Sequence, residues 1–255
     1  MRDLAGAAWP EVRERPPVLV PVGSTEQHGP HLPLNTDTVI ARAVAERVAD
    51  DLGASVSGAS VPGASMPGAA GGPVLVAPAV AYGSSGEHAG FPGTISIGRD
   101  ALELVLVETV RSLALWAGRI VFVNGHGGNA AALDAAVGRM RAEGHDAAWT
   151  GCGVPGGDAH AGFTETSVML RLAPDLVRPS RAVAGDTRPI AELLPELVAR
   201  GVRDVSPSGV LGDPAGASAD RGREIVDAMV AAAVRRIRFG RADARGRLLD
   251  PGAAT

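Results

Sequence analysis

The sequence predicts an α/β protein of three layers, α/β/α, with helices on both faces of a mostly parallel central sheet. Two observations predict it. Short β-rich apolar runs alternate with helical stripes along the chain, and the clearest run, Arg119-Ile120-Val121-Phe122-Val123, passes straight into a glycine-rich turn and a helix. In sheets of this kind the loops after the carboxyl ends of the strands carry the ligand site.

The elements follow in order. Pro17-Val18-Leu19-Val20-Pro21-Val22 is a buried strand that ends at Gly23 and delivers a loop from Ser24 to Asn35. Thr36 to Leu52 carries a stripe of Val39, Ile40, Ala43, Val44 and Val48, a helix expected to stop at Gly53. Residues 57–72, rich in Gly, Ala, Ser and Pro, read as a flexible surface loop and not a domain boundary. Val74 to Tyr82 reads as the second strand, followed by a Gly/Ser loop through Thr94 and a long helix from about Asp100 to Trp116. The third strand, 119–123, leads through Asn124-Gly125-His126-Gly127-Gly128-Asn129 to a helix from Ala130. A strand over Asp146 to Cys152, a helix over Thr164 to Leu170, a last helix over Ala217 to Ile237 and a loose tail over 241–255 complete a single domain, 1–255.

Composition narrows the function. The chain is 45% hydrophobic and 20% charged with a net charge of -4, an ordinary profile with no basic excess to draw nucleic acid or an anionic membrane. All 24 basic residues are arginine, which excludes Schiff-base catalysis and a P-loop lysine. The one cysteine, Cys152, reads as a small buried hydrophobe; with no second thiol there is no internal disulfide or cysteine cluster, so any metal must be held by His and carboxylate. The first 17 residues mix charges with no sustained apolar run, and the helix near Ala101 to Gly118 is broken by Glu103, Glu108 and Arg111. Neither a signal peptide nor a membrane span is expected, and the expected location is the cytoplasm.

The residues that carry chemistry fall in the post-strand loops. Glu26 and His28, two apart in an extended segment, face the same way, and Asp37 opens the next helix. These donors suit zinc, iron or manganese, and a carboxylate such as Asp37 can bridge two ions. His126 stands among glycines at the end of the third strand; His160 and Glu165 open a later helix and either complete the metal site or act as acid and base. Other groups read more plainly. His31, between Pro30 and Pro33, holds its loop; His145 is an ordinary histidine; Glu87 and His88 either line the pocket or are solvated; and Ser24 lacks the second glycine of a nucleophile elbow.

These motifs resemble the creatininase (creatinine amidohydrolase) family. The likeness lies in Pro21-Val22-Gly23-Ser24-Thr25-Glu26-Gln27-His28-Gly29-Pro30-His31-Leu32-Pro33 with Asp37 behind it, in Phe91-Pro92-Gly93-Thr94, in Val123 to Asn129, in His160-Ala161-Gly162 with Glu165-Thr166-Ser167, and in Gly209-Val210-Leu211-Gly212-Asp213-Pro214. It implies the layered α/β/α fold, a divalent metal centre that is often binuclear, amide hydrolysis, and a homo-oligomer. Carried over, it makes Glu26, His28, Asp37 and His126 ligands with Asp37 as bridge, and His160 a proton carrier. One departure is Gly128, where creatininase has a metal-binding glutamate; Glu165 is the expected replacement. Within the family, Thr94-Ile95-Ser96-Ile97, Gly156 to Gly162 and Ser208 to Pro214 resemble the peptidases of the mycofactocin system, which implies a peptide substrate cut to release a C-terminal Val-Tyr-derived unit. Formamide deformylases and creatinine amidohydrolases share the metal motif. The expected cofactor is a pair of divalent ions per chain, Zn2+ and/or Fe2+ or Mn2+. A rival of another class is a dinucleotide-binding protein using Gly125-x-Gly127-x-x-Ala130; it is disfavoured because Asp146 begins the following strand instead of ending it, and a histidine inside the phosphate turn suits metal better.

Overall fold

The computed structural model describes residues 3–12, 15–57 and 73–252. Its centre is a fully parallel 4-stranded sheet of β1 (Val18–Val22), β2 (Leu75–Val76), β3 (Ile120–Asn124) and β4 (Ala147–Gly151), in the order β2-β1-β3-β4. The chain winds from β1 to one side and then returns to the other, so the order reverses between β1 and β3. A crevice opens at that point outside the strands' carboxyl ends.

Alternate residues of each strand face opposite layers. Leu19, Val121, Val123 and Ala148 pack on α1 (Thr36–Ser57), α4 (Phe163–Leu172) and α7 (Ala219–Phe239). Val18, Val20, Val22, Ile120, Phe122, Ala147 and Trp149 pack on α2 (Arg99–Leu113) and α3 (Ala130–Ala142). Burying a Leu, Val or Phe side chain contributes ~1.5–3 kcal/mol, so these two layers supply the stability that lets the loops at the sheet edge hold buried charge. Pro21 sits in a central strand because its missing N–H faces the β2 side, where the ladder has already ended; its carbonyl accepts only from Val80 N at 2.9 Å.

Several boundaries differ from expectation. The helix α1 runs through Gly53 to Ser57, because a glycine inside a packed helix costs only ~1 kcal/mol and no left-handed turn forms there. The expected loop at 57–72 otherwise lies outside the described residues. The expected strand over Val74 to Tyr82 shortens to Leu75–Val76 with an isolated bridge from Val80 to Val22, since Pro78 interrupts the ladder. Residues 241–252 are not a loose tail: Arg247 bridges to Trp149, Leu248 N donates to the Trp149 carbonyl at 2.8 Å, and Leu248 is buried.

Two helices had no sequence expectation. The amphipathic α5 (Ile190–Arg200) and the short α6 (Val202–Val205) form, with Leu211, a small satellite core beside the crevice. No helix among the described residues is long and apolar enough to cross a membrane.

Candidate metal centre

Six expected site residues, Glu26, His28, Asp37, His126, His160 and Glu165, meet in the crevice, together with His88 and Glu87. The post-strand loops are tied to one another by two asparagines. Asn129 donates to the Gly23 carbonyl at 2.9 Å and accepts from Ser84 N at 2.9 Å, while Asn124 donates to the His126 carbonyl at 2.7 Å. The loops after β1, β2 and β3 are thereby fixed against one another.

Glu26 is the centre of the cluster. It is fully buried, and neither carboxylate oxygen accepts a hydrogen bond. Ring nitrogens of His126, His88 and His160 stand 3.1, 3.4 and 3.8 Å from its Oε1. A buried carboxylate without a hydrogen bond costs several kcal/mol unless positive charge stands beside it, and a protonated ring or a metal ion at this position supplies that charge.

Asp37 presents its two oxygens to different neighbours. Its Oδ1 lies 3.1 Å from His28 Nε2, and its Oδ2 lies 3.2 Å from His126 Nδ1 while accepting from Ser24 Oγ at 2.6 Å. Glu165 Oε2 approaches His28 Nε2 to 3.7 Å and accepts from Ala161 N at 2.6 Å. Each ring has an outer partner that sets its proton: His28 Nδ1 donates to the Glu26 carbonyl at 3.1 Å, and His126 Nε2 donates to the Ser84 carbonyl at 3.1 Å. The other nitrogen of each ring therefore aims a lone pair at carboxylate oxygens. Lone pair against carboxylate is repulsive without a proton or a metal ion between them, and orientation by an outer partner is the ordinary arrangement of histidine ligands. Three overlapping sets, Glu26 with His88 and His160, His28 with His160 and Glu165, and Glu26 with His28 and Asp37, each bring their ligand atoms within 4.8 Å of one another. The donor set fits a divalent ion.

The electrostatics agree. Burial opposes charge on His28, but Asp37, Glu165 and Glu26 overcome it and raise its pKa to about 10 in the metal-free protein. Burial would likewise raise Asp37, yet His28 and His126 hold it well below the usual carboxylate range. Burial pushes Glu165 up to about 7, with His28 opposing. His160 is driven well below the usual imidazole range by burial and by its neighbours His28 and His88, and so is neutral.

The His28 ion pairs stabilise the metal-free fold fully below pH 6.5, and that contribution is lost as pH rises through about 10; protonated Glu165 contributes below pH 4.5 and is lost through about 7. A metal needs His28 neutral and Glu165 ionised, so affinity is expected to rise with pH through about 7 and on to about 10, with protons released on uptake. Zinc titration in weak buffer with a pH indicator checks this; pH-independent uptake without proton release contradicts it.

Gly128 is packed tightly. A Cβ there would lie 2.4 Å from both His126 Nε2 and the Ser84 carbonyl and 2.6 Å from Glu87 Oε1, so a glutamate at this position has no room. His31 bonds to Thr166 Oγ1 at 2.8 Å and holds α4 to the first loop, and buried Cys152, its thiol pushed up to about 12 by burial, is inert. The roles of Gln27 and His88 were not legible beforehand; both depend on contacts between loops far apart in sequence.

Fold and cluster together define an α/β/α protein with a cation-binding centre at the carboxyl edge of its sheet. The family described as creatininase, creatinine amidohydrolase, matches residues 5–237, and the chain belongs to that family. It is 54% identical over 233 residues to the mycofactocin precursor peptide peptidase of Mycolicibacterium smegmatis, covering 91% of this chain and 89% of that one. Among solved structures, a mutant creatininase of the Zn-Zn type superposes with a TM-score of 0.71 at 27% identity, covering 93% of this chain and 97% of that one. A manganese creatininase gives the same TM-score of 0.71, at 27% identity and with coverage of 93% and 97%.

Proposed function

We propose that the chain is a cytoplasmic, metal-dependent peptidase that hydrolyses an amide bond of a mycofactocin precursor peptide and releases its C-terminal Val-Tyr-derived unit. The observation that carries the reading is Glu26, a fully buried carboxylate faced by three ring nitrogens, set among histidine and carboxylate groups in a chain 54% identical to a peptidase of that name. Glu26, Asp37 and His126 would hold one divalent ion and His28, Asp37 and Glu165 a second, with Asp37 shared; zinc, iron(II) or manganese suits these donors. Such ions supply Lewis acidity toward a carbonyl oxygen and lower the pKa of water from its bulk value toward about 7.

The protein groups supply the rest. His160 is neutral, and its Nδ1 faces Glu26 while its Nε2 is held by the Gln27 carbonyl at 2.8 Å. It can accept a proton at Nδ1 and return it to the leaving amide nitrogen, which departs poorly without one. The crevice opens into a cavity of about 740 Å3 walled by Ile190, Leu194, Leu197 and Val198 of α5. Ile190, Leu194 and Val198 are 49%, 54% and 81% exposed, an apolar stripe suited to peptide side chains and larger than a creatinine ring or a formamide requires. The active form is a homo-oligomer in this reading.

Mass spectrometry of the products tests the substrate. A peptide ending in Val-Tyr is expected to be cut near its C-terminus, with creatinine and a formamide turned over at least about tenfold more slowly, since the apolar wall contributes only to the peptide. Preferential turnover of creatinine or of the formamide would assign the chain to one of those activities instead.

A further inference from the structure

We infer that Gln27 is a positioning residue whose side-chain amide decides which ring nitrogen of His88 carries the proton, while its backbone carbonyl holds the proton of His160 on Nε2. The orientation of its side-chain amide is unambiguous. Gln27 Oε1 accepts from Gly29 N at 2.8 Å, and Gln27 Nε2 lies 2.9 Å from the Gly209 carbonyl, which can only accept; the reversed amide would set two oxygens against each other.

The two amide hydrogens then have defined destinations. One goes to the Gly209 carbonyl and the other to His88 Nδ1 at 2.8 Å. His160 Nε2, 3.1 Å from the same amide nitrogen, needs no hydrogen from it, because it donates its own to the Gln27 backbone carbonyl at 2.8 Å. His88 therefore accepts at Nδ1 and carries its proton on Nε2, which points at Glu26 Oε1 from 3.4 Å. His160 also carries its proton on Nε2 and leaves Nδ1 free. Of the histidines around Glu26, His88 thus turns an N–H toward the carboxylate and is no ligand through Nε2, whereas His160 turns a lone pair.

The Ser206–Leu211 loop makes this possible. Gly209, at φ 81°, lies so close to Gln27 that a Cβ would overlap its amide oxygen, and Leu211 exchanges backbone hydrogen bonds with His160 at 2.8 and 3.1 Å. One segment thus clamps Gln27 and His160 together, which gives the Gly209-Val210-Leu211 motif a physical task.

The inference adds to the amidohydrolase reading, but its first test reads ring protons and needs no catalysis. Long-range 1H–15N correlation on histidine-labelled protein, metal-free and zinc-loaded, with resonances assigned through His88→Gln and His160→Gln, is expected to show both rings as Nε2–H tautomers. A His88 ring protonated on Nδ1 alone in the wild type overturns it. Gln27→Met keeps the length but removes donor and acceptor; it should shift His88 toward the Nδ1–H form, read in the same correlation spectrum. His28, held by the Glu26 carbonyl, should keep its tautomer. An unchanged His88 tautomer in Gln27→Met overturns the proposal. Should that variant not fold, Gly209→Ala, which displaces the Gln27 amide, is read by the same spectrum, and an unaltered His88 signal there counts equally against it.

Discussion

Asp37→Ala is expected to empty the site of both ions and to lower peptide hydrolysis by at least about two orders of magnitude. The reason is the division of its oxygens: Oδ1 faces His28 at 3.1 Å, and Oδ2 faces His126 at 3.2 Å. Removing the carboxylate takes one ligand from each half and leaves Glu26 and Glu165 without the residue that joins them. His28→Ala touches one half only and should weaken one ion. The comparison is made by metal analysis of both variants after zinc loading; equal and complete retention in the two would show that Asp37 is no bridge. Circular dichroism matching the wild type is expected in both, because the sheet and its two apolar layers do not depend on these side chains.

Glu165→Gln is the second large effect. The substitution keeps the shape, and the remaining amide oxygen can still accept from Ala161 N, the 2.6 Å bond that holds the start of α4 against a residue at φ 53°. Only the charge is lost. Metal content should fall by about one ion and hydrolysis by at least about two orders of magnitude, the scale for losing an electrostatic contact made in the transition state. Full metal and full activity would reduce Glu165 to a first-turn residue favoured by the helix dipole. A glutamate at Gly128 cannot compensate, since the Ser84 carbonyl and the His126 ring already occupy the space its Cβ would need.

Much of this was legible in the sequence, for a physical reason. Strands buried on both faces write themselves as unbroken apolar runs, and the loops that follow them carry the ligand residues, so Glu26, His28, Asp37 and His126 could be placed at one sheet edge without coordinates. His160 and Glu165 could be placed at the start of α4 by the same logic. What was hidden depends on contacts between distant segments. The pairing of Gln27 with His88 and Gly209 leaves no periodic signal, and the α5 stripe of Ile190, Leu194 and Val198 is interrupted by Pro195, which obscures a helix in the pattern. The packed course of 241–252 was missed because its anchors are a single buried leucine, Leu248, with backbone bonds to Trp149 and ion pairs of Asp250 to Arg235 and Arg236, none of which leaves a periodic pattern.

The cluster is proposed to be a two-ion amidohydrolase centre. Its most direct test is the metal content of chelator-stripped protein reloaded with zinc, iron(II) or manganese, with hydrolysis of a Val-Tyr-terminated peptide measured on the same samples. About two ions per chain and hydrolysis confined to the reloaded protein are expected. No bound metal after reloading, or equal hydrolysis by the stripped protein, would contradict it.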